Sequence, residues 1–149
     1  MDQMDFLNVI DKTPLVSIDL IVENAMGEVL LGKRTNRPAQ DFWFVPGGRI
    51  VKNETIERAL KRISTVELGF ELSICQMELI GAFDHIYNDN YYGEPGINTH
   101  YVVLAFRTIM PEDCELKPDD QHSDMRWWLK NELRCHAEVH PNTQKYFSI

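Results

Sequence analysis

The residues best suited to chemistry lie between Gly48 and Phe70. The stretch reads Gly48, five residues, Glu54, seven residues, Arg62, and then Glu67, Leu68, Gly69 and Phe70. Adjacent glycines at 47 and 48 let the backbone approach a ligand with no Cβ in the way, and a bare carbonyl there is a hard oxygen donor. Positions 63, 66 and 67 are spaced i, i+3 and i+4, so on a helix they share adjoining parts of one face. Only Glu67 among them is acidic; Ile63 and Val66 are apolar. A lone helix carboxylate can ligate a hard cation when other oxygen donors complete its shell. Arg62 can pair bidentately with Glu54 and orient the loop between them. Upstream, Lys33, Arg34 and Arg37 crowd together. They read either as a solvated basic turn or as phosphate contacts, with Arg34 the better candidate.

The elements that must position these groups follow from periodicity. Apolar residues at Ile56, Ala59, Leu60, Ile63 and Val66 repeat at helical spacing from Glu54 to Leu68, and Gly69 stands where a helix ends in a left-handed residue. Phe6, Leu7, Val9 and Ile10 suit a short amphipathic helix over 5–10, stopped at Thr13-Pro14. Leu15 to Glu23 reads as a strand, 24–27 as a turn and 29–31 as the returning strand of a hairpin. Phe42 to Val45 is a short apolar strand before the Pro46-Gly47-Gly48 turn. One or two strands fit 72–83, a long polar and aromatic loop fits 85–98, and strands fit 101–106 and 125–129. The tail from Asn131 onward suggests two short helices, the second beginning near Pro141 or Asn142. His100, His136 and His140 read as surface residues, and Trp127 and Trp128 point to opposite faces of their strand.

A chain of 149 residues with a 44% hydrophobic share fits one domain, 1–149, around one core. Its net charge of -8 argues against a nucleic-acid partner, which wants a basic face; it does not exclude a small anion met by a few local arginines. No apolar run approaches the roughly 20 residues that span a bilayer. The start Met1-Asp2-Gln3-Met4-Asp5 lacks the basic segment of a secretory signal, so a cytoplasmic enzyme is expected. Cys75, Cys114 and Cys135 are odd in number and widely spaced, and form neither a zinc pattern nor a disulfide framework.

The spacing Gly-x5-Glu-x7-Arg and the ending Glu67-Leu68-Gly69-Phe70 resemble the Nudix box. In that family positions 63, 66 and 67 usually all carry glutamate, so Ile63 and Val66 are departures, as is Ser64 in place of an aliphatic residue. The segments Leu15 to Asp19, Gly32 to Gln40, Phe42 to Arg49, Thr99 to Leu104 and Pro118 to His122 resemble the GDP-mannose mannosyl hydrolase branch, which shares the loss of two box carboxylates. The resemblance runs from about Phe6 to the C-terminal region. It implies an α/β fold, a Nudix α/β/α sandwich with a mixed β-sheet between helices. It implies Mg²⁺-dependent hydrolysis of GDP-mannose, and of GDP-glucose, to GDP and free hexose by water attack at the anomeric carbon, and a homodimer, which the apolar N-terminal helix, with few obvious partners in so small a chain, also suggests. By position, it implies that Gly47, Glu67 and Gln121 hold one Mg²⁺ and that His122 is the general base. Arg34 and Arg49 would lie on the phosphates, Tyr101 would bond the leaving phosphate, Asp19 and His85 would lie in the sugar and catalytic region, and Phe6 would border the purine. By residue type alone, Gln121 and His122 read as ordinary loop residues. Two rival readings remain: a conventional Nudix pyrophosphatase attacking phosphorus, and a nucleotide-sugar sensor without catalysis.

Overall fold

The computed structural model describes residues 1–110 and 124–148. Gln121 and His122, the expected metal ligand and base, and Cys114 lie outside the described residues. Helix α1 (Gln3–Lys12) is capped by the Asp2 side chain, which accepts from the Asp5 N–H at 2.8 Å. It begins earlier than its apolar pattern suggests because that cap, and not the first apolar residue, sets its start. Strands β1 (Leu15–Glu23) and β2 (Val29–Lys33) form the expected hairpin, followed by β3 (Trp43–Phe44) and β4 (Gly47–Arg49). Helix α2 (Ile56–Leu68) starts at the Thr55 cap and ends at Gly69, whose φ is +83°. One long strand, β5 (Glu78–Tyr87), follows a single 3₁₀ turn. Then come β6 (Thr99–Ile109), β7 (Met125–Trp128) and the short helices α3 (Lys130–Leu133) and α4 (Pro141–Gln144); α4 runs on into a 3₁₀ turn, Lys145–Phe147.

Among the described residues the strands make one seven-stranded mixed sheet in the order β3-β2-β1-β6-β5. β1 runs parallel to β6 from Leu15 beside Tyr101 to Glu23 beside Ile109. On its other edge β1 meets β2 at Glu23 beside Val29, then takes β4 instead, with Asp19 beside Gly47 and Ser17 beside Arg49. The opening between β1 and β2 is where the cavity described below lies.

Alternation along β1 sends its side chains to two cores. Ile18, Leu20 and Val22 face α2 and pack with Leu60, Ile63 and Leu68. Ile21 faces the other side and packs with Trp128, Leu133 and Phe147. Helices thus cover both faces, as the α/β/α expectation requires. Trp128 lies in the second core and Trp127 packs against the first, so each tryptophan serves its own face of β7.

The structure corrects three expectations. His85 belongs to β5 and not to a loop: the ladder continues to Tyr87 beside Thr99, and the alternation of an edge strand with one exposed face hides that signal. Helix α1 also has a partner within the chain: Ile10 is buried and α1 packs on β6, which removes the unpartnered helix as a ground for a dimer. The third correction, to His140, falls in the site. No helix among the described residues is long and apolar enough to cross a membrane.

Leu60 is fully buried between α2 and β1. Truncating such a side chain loses transfer energy and leaves a cavity. Leu60→Ala should lower unfolding stability in urea by about 2–5 kcal/mol.

Candidate functional site

A cavity of about 320 Å³ opens between β1, β2 and β4. It gathers Arg34, Arg49 and Tyr101 with Asp19, Glu67 and His85, and the backbone of Gly47 and Gly48. Every expected site residue among the described ones therefore lines it except Phe6. Phe6 stands next to it on α1, with the Arg49 guanidinium 4.6 Å from its ring centre and Tyr92 edge-on at 6.1 Å.

The loop before α2 is shaped by one ion pair. Arg62 Nε donates to Glu54 at 2.7 Å and Nη2 donates at 2.9 Å, the forked geometry that the spacing implies. The same Nη2 donates to the Arg49 carbonyl at 2.8 Å, and Glu54 accepts from the Val51 N–H at 3.1 Å. The Arg62 guanidinium holds the Glu54 carboxyl below its ordinary range. This pair fixes the backbone of Arg49 without entering the cavity.

The two glycines are required by close approach. A Cβ at Gly47 would lie 2.6 Å from Asp19 Oδ1 and would also strike the Ile18 carbonyl. A Cβ at Gly48 would meet Ile63 Cγ1 at 3.1 Å. Ile63 is 2% exposed and belongs to the α2-side core. A position where the family commonly places a carboxylate is here core packing beneath a glycine. A charged group would not survive there unpaired, so the change of residue type and the packing agree.

The donors that remain suit a hard divalent cation. Glu67 offers carboxylate oxygens to the cavity, and Gly47 has no Cβ to obstruct an approach. Among the described residues no cluster of three or more His, Cys, Asp or Glu side chains could hold a metal by itself. A divalent ion with few protein carboxylates takes its remaining oxygens from substrate and water. Such an ion would neutralise phosphate charge.

Arg34 is held from three directions. Its Nη1 donates to the Pro38 carbonyl at 2.8 Å, and its guanidinium lies 3.8 Å from the centre of the Phe44 ring and 5.6 Å from that of Tyr87. His140 stacks on Phe44 at 4.8 Å. This corrects the surface reading of His140. Its Nδ1 accepts from the Asn142 N–H at 3.0 Å, which caps α4 and leaves the ring proton on Nε2. Arg37, by contrast, is exposed at the rim, against the loop at Gly93. The segment 88–98 is organised by a fully buried Asn90, whose Nδ2 donates to the carbonyls of Glu94 and Ile97, both at 2.8 Å.

Asp19 and His85, both in the cavity lining, meet Tyr146 of the C-terminal segment. The Tyr146 hydroxyl donates to Asp19 Oδ2 at 2.6 Å and lies 3.3 Å from His85 Nε2. Burial pushes the Asp19 carboxyl up to about 6, against the opposing pull of the Tyr146 hydrogen bond and Arg34. Burial also lowers His85 to about 4, helped by His140 and Arg34. His140 falls to about 4 for the same first reason, reinforced by Arg34 and Lys145. Burial and the Asp19 charge raise the Tyr146 phenol, so it stays a donor. Neither Tyr146 nor His140 was legible as a site residue, because no local spacing joins them to β1 or β2.

The mixed sheet between helices, with Glu54, Arg62 and Glu67 on a loop–helix–loop beside the cavity, defines a Nudix hydrolase. The chain belongs to the Nudix family: the NUDIX domain model matches residues 13–148. The low-salt glycan biosynthesis protein Agl8 of Haloferax volcanii is 37% identical over 139 residues, 93% of this chain and 83% of that one. The MutT NUDIX hydrolase from Burkholderia pseudomallei superposes with a TM-score of 0.72 at 25% identity, covering 91% of this chain and 97% of that one. The NUDIX domain of Shewanella oneidensis NrtR, solved with ADP ribose, shares the fold with a TM-score of 0.68 at 18% identity, covering 99% and 95%.

Two predictions test this geometry. Arg62→Ala should free the 49–54 loop and lower turnover. Arg62→Lys should recover only part of it, since an ammonium cannot make the fork. The ring signals of His85 and His140 in an NMR titration should hold their neutral positions until the pH approaches about 4. The linkage has a definite sign: these depressed values add stability above the ordinary 6.5, and it is lost as pH falls from there toward about 4. The raised Asp19 value works the other way, with stability lost as pH rises from 3.8 through about 6.

Proposed function

We propose that this Nudix hydrolase cleaves GDP-mannose, and GDP-glucose, to GDP and free hexose by attack of water on the anomeric carbon, aided by one Mg²⁺ ion. One observation carries the reading: Glu67 is the only acid among positions 63, 66 and 67 of the α2 face, Ile63 is buried beneath Gly48, and Arg34 and Arg49 share the cavity with Glu67. A Nudix site that attacks phosphorus usually has more carboxylates on this helix. A site that expels GDP from carbon needs less metal and more cationic compensation on the leaving group. The glycan-biosynthesis name of the Haloferax relative is consistent with a nucleotide-sugar substrate.

The roles follow from charge and reach. Glu67, the Gly47 carbonyl and Gln121 would hold the ion, and a divalent ion held there offsets charge on the diphosphate. Arg34 and Arg49 would take up the negative charge that grows on the diphosphate as the C–O bond breaks, and the Tyr101 hydroxyl would donate to the same oxygen. The bond pair leaves with GDP, water oxygen bonds to the anomeric carbon, and its proton passes to His122. A neutral imidazole with an ordinary pKa near 6.5 suits that task at neutral pH. Asp19 and His85 would face the sugar, Phe6 the base. Gln121 and His122 enter on the resemblance alone. The same resemblance makes a homodimer our expectation, which sedimentation equilibrium would test.

Hydrolysis in ¹⁸O-water decides the chemistry. Products GDP and ¹⁸O-labelled hexose support the reading; GMP with label in phosphate marks a conventional pyrophosphatase, and binding without turnover a sensor. Glu67→Gln should abolish most activity. Replacing His122 should lower kcat by roughly 10²–10⁴-fold, the usual contribution of a general base, with GDP affinity kept.

A further inference from the structure

The cavity mixes two kinds of group. Arg34 and Arg49 bring cationic charge to its lining, suited to a diphosphate. Asp19 and His85 line the same cavity, and Tyr146, outside that lining, reaches both. A carboxylate repels phosphate and accepts from hydroxyls, so Asp19 fits the uncharged, hydroxyl-rich part of a substrate. Asp19 feels the charge of Arg34, yet the two form no ion pair among the described residues. Something must restrain a carboxylate that shares a cavity with a guanidinium.

We propose that Tyr146 is a positioning residue that anchors Asp19 Oδ2, leaves Oδ1 facing the cavity for a sugar hydroxyl, and keeps the carboxylate off Arg34. The proposal rests on the nucleotide-sugar reading and deepens it. The hydroxyl to Oδ2 distance is 2.6 Å, and Oδ1 is the oxygen that lies against Gly47, at 2.6 Å from where its Cβ would be. Tyr146 has one hydroxyl proton, and the shorter bond to the carboxylate claims it. The oxygen's lone pairs are then open to His85, 3.3 Å away, which must carry its proton on Nε2 to complete the line. His85 is thereby held in one tautomer, with its ring in the cavity lining.

The tail is built to hold this hydroxyl in place. Gln144 Nε2 donates to the carbonyls of Leu133 and His136, both at 3.0 Å, and Arg134 Nε donates to the Phe147 carbonyl at 2.6 Å. The Val45 N–H donates to Thr143 Oγ1 at 3.3 Å, tying α4 to the segment between β3 and β4. The Tyr146 ring meets Phe83 of β5 edge-on at 5.0 Å. All of these contacts survive Tyr146→Phe, which removes the hydroxyl and little else. The tail thus acts on specificity through one oxygen atom.

The test is a double-mutant cycle on the full chain with GDP-mannose, using wild type, Tyr146→Phe, Asp19→Asn and the double variant. Tyr146→Phe should lower kcat/KM on the order of tenfold, the size expected for losing a hydrogen bond to a charged group. The inhibition constant of GDP, which lacks the sugar, should stay within about twofold, since a twofold change is only a few tenths of a kcal/mol. In the Asp19→Asn background the Tyr146 change should add nothing. Equal losses in both backgrounds, full activity in Tyr146→Phe, or a parallel rise in the GDP constant would each overturn the proposal. Should wild type release no GDP and hexose, the functional reading falls by itself. The anchor is then read from urea midpoints: Tyr146→Phe must lower the midpoint beside Asp19 and not beside Asn at position 19, and an equal drop in both rejects it.

Discussion

Strand β1 is bound along one edge to β6 for its whole length, and on the other it must divide itself between β2 and β4. The site depends on that division. Backbone groups in a sheet need partners, and β4 supplies them where β2 has turned away. The substitution brings Gly47 beside Asp19 and opens the space between β1 and β2 that becomes the cavity. It works only because β4 carries glycine: a Cβ at Gly47 would strike the backbone of β1. The parallel ladder to β6 then lines up Tyr101 with Leu15 and Ala105 with Asp19, and β5 adds His85 beside Tyr101.

Charge is arranged around this opening by what is permitted to be buried. Ile63 joins the core, so α2 gives the cavity Glu67 from its acid positions and nothing from position 63. The Arg62–Glu54 fork is spent on the loop, holding the Arg49 carbonyl while the Arg49 guanidinium faces inward. Arg34 lies over Phe44, whose ring also carries His140. Among the described residues the Arg34 guanidinium is held by a backbone carbonyl and aromatic faces, and that of Arg49 lies over Phe6. The Asp19 carboxylate accepts from the Tyr146 hydroxyl.

The C-terminal segment has a larger part than its short helices suggest. His140 caps α4 and supports the Phe44 ring, Thr143 binds the backbone at Val45, and Tyr146 reaches Asp19. The stretch from His140 to Tyr146 thus touches the surroundings of both Arg34 and Asp19. The helical propensity of its turns is slight at this length, so tertiary contacts maintain them: Gln144 to α3, Arg134 to the last turn, and Phe147 in the core.

Local order was legible in the chain itself. Hydrophobic spacing located β1, β2, α2, β6 and β7, Gly69 marked the end of α2, and the Glu54-x7-Arg62 interval foretold the ion pair, because each is decided by neighbours within a few residues. The grouping of Asp19, Glu67, Arg34, Arg49, Tyr101 and His85 came from resemblance, and all six line one cavity. Tertiary structure alone decided the rest. His85 entered a strand because β6 offered it a ladder, and α1 found its partner on the sheet. His140 became half-buried because Phe44 lies under it. Tyr146 meets Asp19 across 127 positions of sequence. A single hydrogen bond between residues so far apart leaves no periodicity, spacing or composition in the sequence, since its partners are chosen only when the sheet and its covering helices have closed.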